Sequence, residues 1–94
     1  MSVVQGFGGM KIRDEMPHMI TNIVPLGPAA RSGVKIGHKL LAIDGISVSD
    51  MRDVAEIRSR IVGPENSKLC LTLGDTSDET FDVTLVRYIS FASA

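Results

Sequence analysis

The stretch PLGPAARSGVKIGHKLLAIDG, residues 25–45, decides how the rest of the chain is read. Its first nine residues are too few for a standard helix. Yet Pro28 suits a first helical position, Ala29 and Ala30 are strong helix formers, and Gly33 supplies a stop. One or two helical turns are predicted. HKLLAIDGISV (38–48) then reads as a strand, a tight Asp44-Gly45 turn and a short second strand, because Asp-Gly between apolar runs is a strong hairpin signal.

Upstream, Val3 and Val4 are expected to form a short first strand. MKIR (10–13) alternates apolar and charged residues, the period of a half-exposed strand. DEMPH (14–18) breaks the pattern, since Pro17 cannot donate to a ladder and Asp14-Glu15 favours solvent. HMITNIV (18–24) is rich in β-branched residues and predicts the next strand. Downstream, Val54, Ile57 and Ile61 recur at helical spacing, with Asp50 or Ser49 as the cap and Asp53 favouring the positive N-terminal end. Arg58 and Arg60 suit its last turns, and Gly63-Pro64 end it as a C′ glycine followed by proline. KLCLTL (68–73) and TFDVTLVR (80–87) predict a strand pair across the polar turn GDTSDE. The expected fold is mainly β with two helices (α+β): a small, partly open β-barrel or sandwich of five to six strands, capped by one short and one long helix.

The 94 residues fit one domain, 1–94, with its core over about 4–87 and a tail over 88–94. Net charge is −1, which gives no electrostatic reason to expect nucleic acid as a partner. With three Phe, one Tyr and no Trp, a base-stacking platform is not expected either. No stretch approaches the roughly 18 apolar residues of a membrane span, so no membrane insertion is expected. The N-terminus lacks the regions of a signal peptide. The single Cys70 excludes an internal disulfide and reads as a buried, inert thiol. A cytoplasmic location, within a larger protein, is the expectation.

GFGGMKI, PLGPAARSGVKIGHKLLAIDGISV and VAEIRSRIVGPENSKLCLTL together resemble a PDZ domain. The central stretch matches that family's short Gly-Pro-Ala helix, its glycine, and the pattern x-G-D-x-(I/L)-L-x-(V/I)-(N/D)-G. His38 stands where the family has Asp, a departure expected to remove a local polar contact. The resemblance implies a protein–protein interaction module of the scaffolding or signalling kind. Such a module binds the C-terminus, or a short extended internal segment, of a partner by β-strand addition between the second strand and the long helix. The partner's carboxylate would be held by backbone N–H groups of the glycine-rich loop, where glycine permits close approach and a sharp turn.

The family's Gly-Φ-Gly-Φ loop fits here in two registers. Gly6-Phe7-Gly8-Gly9 keeps both glycines; Gly9-Met10-Lys11-Ile12 keeps both apolar residues but places Lys11 at the middle glycine. In the second, preferred register the donors are the N–H groups of about Met10, Lys11 and Ile12, flanked by Gly8 and Arg13. The side chains of Met10 and Ile12 line the pocket for the last ligand residue, and Lys11 points to solvent. On the helix, with Met51 or Arg52 opening it, the groove side is assigned to Met51, Ala55 and Arg58; a one-residue shift would bring Val54 and Ile57 instead. Met51 favours an apolar ligand residue two before the end. The Gly-Gly-Φ form also resembles PDZ domains of proteases, and the alternative is a substrate-sensing domain excised from one. The uncharged tail, ending Ala92-Ser93-Ala94, suggests weak self-association through a neighbour's groove.

Enzymatic readings find little support. No GxSxG elbow is present, and GFGGM opens a strand without a following Gly-Lys-Ser/Thr. No cofactor and no metal are expected: Asp14, Glu15 and His18 share a flexible loop rather than a ligand spacing, and both histidines read as isolated surface residues.

Overall fold

A computed structural model describes residues 5–6 and 9–88. Strand β1 (Gln5–Gly6) is followed by β2 (Met10–Ile12), β3 (Ile20–Ile23), helix α1 (Pro28–Arg31), β4 (Lys39–Ile43) and β5 (Ile46–Ser47). A 3₁₀ turn at Val48–Asp50 leads to α2 (Val54–Ile61), then β6 (Gly63–Pro64), β7 (Lys68–Gly74) and β8 (Thr80–Val86). All pairings are antiparallel. One sheet has the order β5-β4-β7-β8, while β2 pairs with β3 and β1 with β6. The α+β architecture expected from the sequence is the one found. Val3 and Val4, the proposed first strand, lie outside the described residues, as does the tail beyond Tyr88.

The core follows from strand alternation. On β7, Leu69, Leu71 and Leu73 are fully buried and face Leu85, Val83 and Phe81 of β8. On β4 the alternation breaks: Leu40 and Ile43 are both buried because the register shifts between Leu40 and Ala42, and a bulge resets which face a residue takes. Ile12, Ile20, Ile57 and Ile61 close the core from the other layer. Cys70, expected to be buried, is half-buried on the outer face of β7 and unpaired.

Asp44 and Gly45 have φ of 49° and 83°, the two left-handed residues that a two-residue hairpin requires. The Asp44 carboxylate accepts the Cys70 amide at 3.0 Å, tying this turn to β7. Helix α1 begins with Pro28 and ends in a Schellman arrangement. The Val34 N–H donates to the Ala29 carbonyl at 3.0 Å, and the N–H of Gly33 (φ 86°) donates to that of Ala30 at 3.3 Å.

Helix α2 differs from expectation at both ends. Asp53, not Asp50 or Ser49, is the N-cap, and its carboxylate accepts the Glu56 N–H at 3.0 Å. Ser49 and Asp50 sit in the preceding 3₁₀ turn, which Ser47 caps. At the other end Gly63 has no left-handed φ; it pairs with Gly6 across β1 and β6. Its lack of a side chain answers a packing need, since a Cβ there would lie 2.7 Å from the Arg87 guanidinium carbon. The Arg87 guanidinium takes over the helix end. It donates to the carbonyls of Ile61 at 2.8 Å and Arg60 at 3.0 Å, and also to the Lys68 carbonyl and the Ser67 hydroxyl.

Candidate functional site

The edge of β2 opposite β3 carries no strand among the described residues, and α2 stands beside it. Three observations orient the β2 backbone. Met10 is opposite Ile23, the Val24 N–H donates to the Gly9 carbonyl at 2.8 Å, and the Arg13 N–H donates to that of Met19 at 2.8 Å. Antiparallel pairing alternates, so the peptide groups of residues 9, 11 and 13 face β3 and those of Met10 and Ile12 face away, toward α2. The Lys11 N–H, expected among the ligand-facing donors, is therefore turned to β3; of the three β2 residues, Met10 and Ile12 offer theirs to the cleft.

Gly9 makes the turn into β2. Its φ is 80°, and an added Cβ would sit 3.1 Å from the Pro28 Cδ and 3.4 Å from the Tyr88 ring. Both the conformation and the space demand glycine. Gly8 and Phe7 lie outside the described residues.

Between β2 and α2 lies a cleft of about 460 Å³, lined by Met10, Lys11, Ile12, Thr21, Arg58, Ile61 and Val62. Of the helix residues assigned to it from sequence, only Arg58 is there. Met51 precedes the helix and is buried in the core at 8% exposure; Ala55 is exposed but lines no part of the cleft. The Asp53 cap leaves Met51 outside the helix, and Ala55 shares the face of Arg58 and Val62 but sits about one turn closer to the N-terminus, beyond the lining of the cleft, while Ile57 packs into the core. The Asp53-x-x-Glu56 spacing, a capping-box pattern, was the signal that places this start. Arg13 lies outside the cleft and pairs with Glu15 at 3.1 Å, while the Lys11 side chain is exposed at the cleft wall.

Two contacts fix how the helix runs. Gly63, just past its C-terminus, pairs with Gly6 near the glycine-rich loop, and Arg58 pairs with Asp14 beyond the far end of β2. Helix α2 is thus antiparallel to β2. Its Ile61-Val62 end is apolar and lies toward Gly9; its Arg58 end is charged.

The remaining candidates have structural roles. His18 is buried at 5% exposure, not on the surface, and its Nδ1–H donates to the Arg13 carbonyl at 2.9 Å. His38 is half-buried edge-on to Phe81, and its Nδ1 accepts the Lys35 N–H at 3.1 Å. It supplies the polar contact that its departure from Asp was expected to remove. Asp14 and Glu15 are engaged by arginines, and no three His, Cys, Asp or Glu side chains gather into a metal-binding group among the described residues. Among those residues, too, no helix is long and apolar enough to cross a membrane.

A two-stranded edge facing a short antiparallel helix, entered by a left-handed glycine, is matched by sequence as well. A family model of the PDZ domain matches residues 19–73. The chain belongs to the PDZ domain family. Among solved structures, this PDZ domain is similar to the PDZ domain of a carboxy-terminal protease from Vibrio cholerae in complex with peptide. That match has 24% identity and a TM-score of 0.77, and covers 94% of this chain and 100% of that one. The photosystem II D1 C-terminal processing protease matches at 18% identity and a TM-score of 0.80, over 92% of this chain and 24% of its own. The HtrA-type protease AlgW, solved with a decapeptide, matches at 18% identity and a TM-score of 0.75, over 92% of this chain and 30% of its own. At these identities the likeness is one of fold, and the chain spans less than a third of the length of the two longer proteases.

Proposed function

We propose that this PDZ domain binds an extended segment of a partner protein as an added strand along β2, with its end at the Gly9–Met10 turn and its side chains against α2. One observation carries the reading: a strand edge unpaired among the described residues, whose Met10 and Ile12 peptide groups face a cleft of about 460 Å³ with an apolar floor. Main-chain hydrogen bonds supply affinity and the cleft supplies choice. Affinity of roughly micromolar order is expected, because little surface is buried and the peptide must be ordered on binding. The peptide complexes among the structural relatives, of the Vibrio cholerae domain and of AlgW, support a peptide as the partner class. The domain itself is proposed to be non-catalytic.

Protease relatives favour a second reading, in which the same groove senses substrate segments for a catalytic domain elsewhere in a longer protein. The two differ in whether a free carboxylate is needed. Titration of a library-selected peptide, once with a free C-terminus and once amidated, separates them. Loss of binding on amidation supports a reader of chain ends; equal binding supports internal segments; no binding of any peptide contradicts both. Self-association through the tail rests on residues 89–94, outside the described ones.

A further inference from the structure

The cleft is asymmetric in charge. Lys11 on β2 and Arg58 on α2 line its opposite walls, and none of its lining residues among the described ones is acidic. Among the described residues no carboxylate is within ion-pairing distance of Lys11, and the one that meets Arg58 comes from outside the cleft: Asp14, in the chain leaving β2. The Arg58–Asp14 pair therefore reaches from the helix across the end of the cleft farthest from Gly9. Its side chains are 53% and 67% exposed, so water competes for both and the pair is readily exchanged.

We propose that Asp14 occupies the place of a ligand carboxylate, and that the groove selects peptides with Glu or Asp at the third position from the C-terminal end. This inference rests on the strand-addition reading above. The cleft-facing peptide groups belong to Met10 and Ile12, two residues apart. Ligand residues paired with them are also two apart and project to one face, the first toward Ile61 and Val62, the second toward Arg58. An acidic side chain there takes the guanidinium from Asp14, which is released to water at little cost because it is already exposed. Lys11 adds attraction from the opposite wall. The apolar preference expected from Met51 has no counterpart here, since Met51 lies in the core.

The test uses arrays of free-C-terminus heptapeptides, each sequence present twice, with Glu and with Gln third from the end. They are probed with the wild-type domain, Arg58→Gln and Asp14→Asn, each first shown by thermal melting to be folded. Wild type is expected to prefer the Glu forms by about twofold, and Asp14→Asn, which lacks the internal competitor, by about fivefold, the upper range for an exposed ion pair. Arg58→Gln should show no preference. Indifference to Glu in both wild type and Asp14→Asn, with peptides still bound, overturns this inference and leaves the peptide groove standing. A Glu preference that survives in Arg58→Gln also overturns it. Binding of no peptide by any of the three overturns the groove reading and this inference with it.

Discussion

Arg87 is 7% exposed and, among the described residues, has no carboxylate beside it; its charge is met by three carbonyl oxygens and a hydroxyl. Two of those carbonyls belong to the last turn of α2, where a cation suits the helix dipole. Arg87→Met strands these acceptors beneath the helix end, and a loss of about 3 kcal/mol in urea unfolding is expected. An unchanged midpoint would show that the guanidinium does not hold the helix. Gly63→Ala presses a Cβ onto the same guanidinium and is expected to be destabilising by the same assay, although Gly63 has no left-handed φ. Arg87 and Gly63 show a limit of sequence reading. Gly63-Pro64 marks a helix end correctly in place, but nothing local reveals that a side chain 24 positions later (87 − 63) fills the space above it. His18 escaped for the same kind of reason. Beside Pro17 and two acids it reads as solvated, yet the return of β3 against β4 buries it.

At the level of elements, local chemistry was most legible where one short segment sets its own conformation. The Pro28 helix start, the Gly33 stop and the Asp44-Gly45 hairpin all stand as expected, because backbone sterics alone dictate them. Helix α2 shows the contrary case. Three acidic or hydroxyl residues compete to cap it, and choosing Ser49 or Asp50 over Asp53 starts the helix too early and carries Met51, which precedes it and lies in the core, into the predicted groove face. Asp53→Ala is therefore expected to cost about 1 kcal/mol of stability, readable by thermal melting, while Ser49→Ala costs less than half of that. Equal effects would contradict the assignment of the cap. On β2, apolar and charged alternation predicted a strand, but which amides face the cleft depended on its register with β3, which no single strand reveals.

For the whole molecule, β5-β4-β7-β8 and the paired β2 and β3 bury a core centred on Leu69, Leu71 and Leu73, and leave the cleft at its margin. Truncation in the core and truncation in the cleft should separate. Leu71→Ala removes a fully buried side chain and is expected to cost about 3 kcal/mol of unfolding free energy. Val62→Ala, in a half-buried cleft position, should weaken peptide binding several-fold with a far smaller loss of stability. Comparable stability losses in the two variants would mean that the cleft is part of the core rather than a site. A bound peptide should in turn raise stability by mass action, by about 2.7 kcal/mol at a hundredfold excess over Kd.

The proposed strand addition runs through Met10 and Ile12 of β2. Amide hydrogen exchange of the domain, with and without a bound library-selected peptide, tests it most directly. The Met10 and Ile12 amides are expected to gain protection on binding, while Lys11, already turned to β3, changes little. Binding that leaves Met10 and Ile12 unprotected would contradict it.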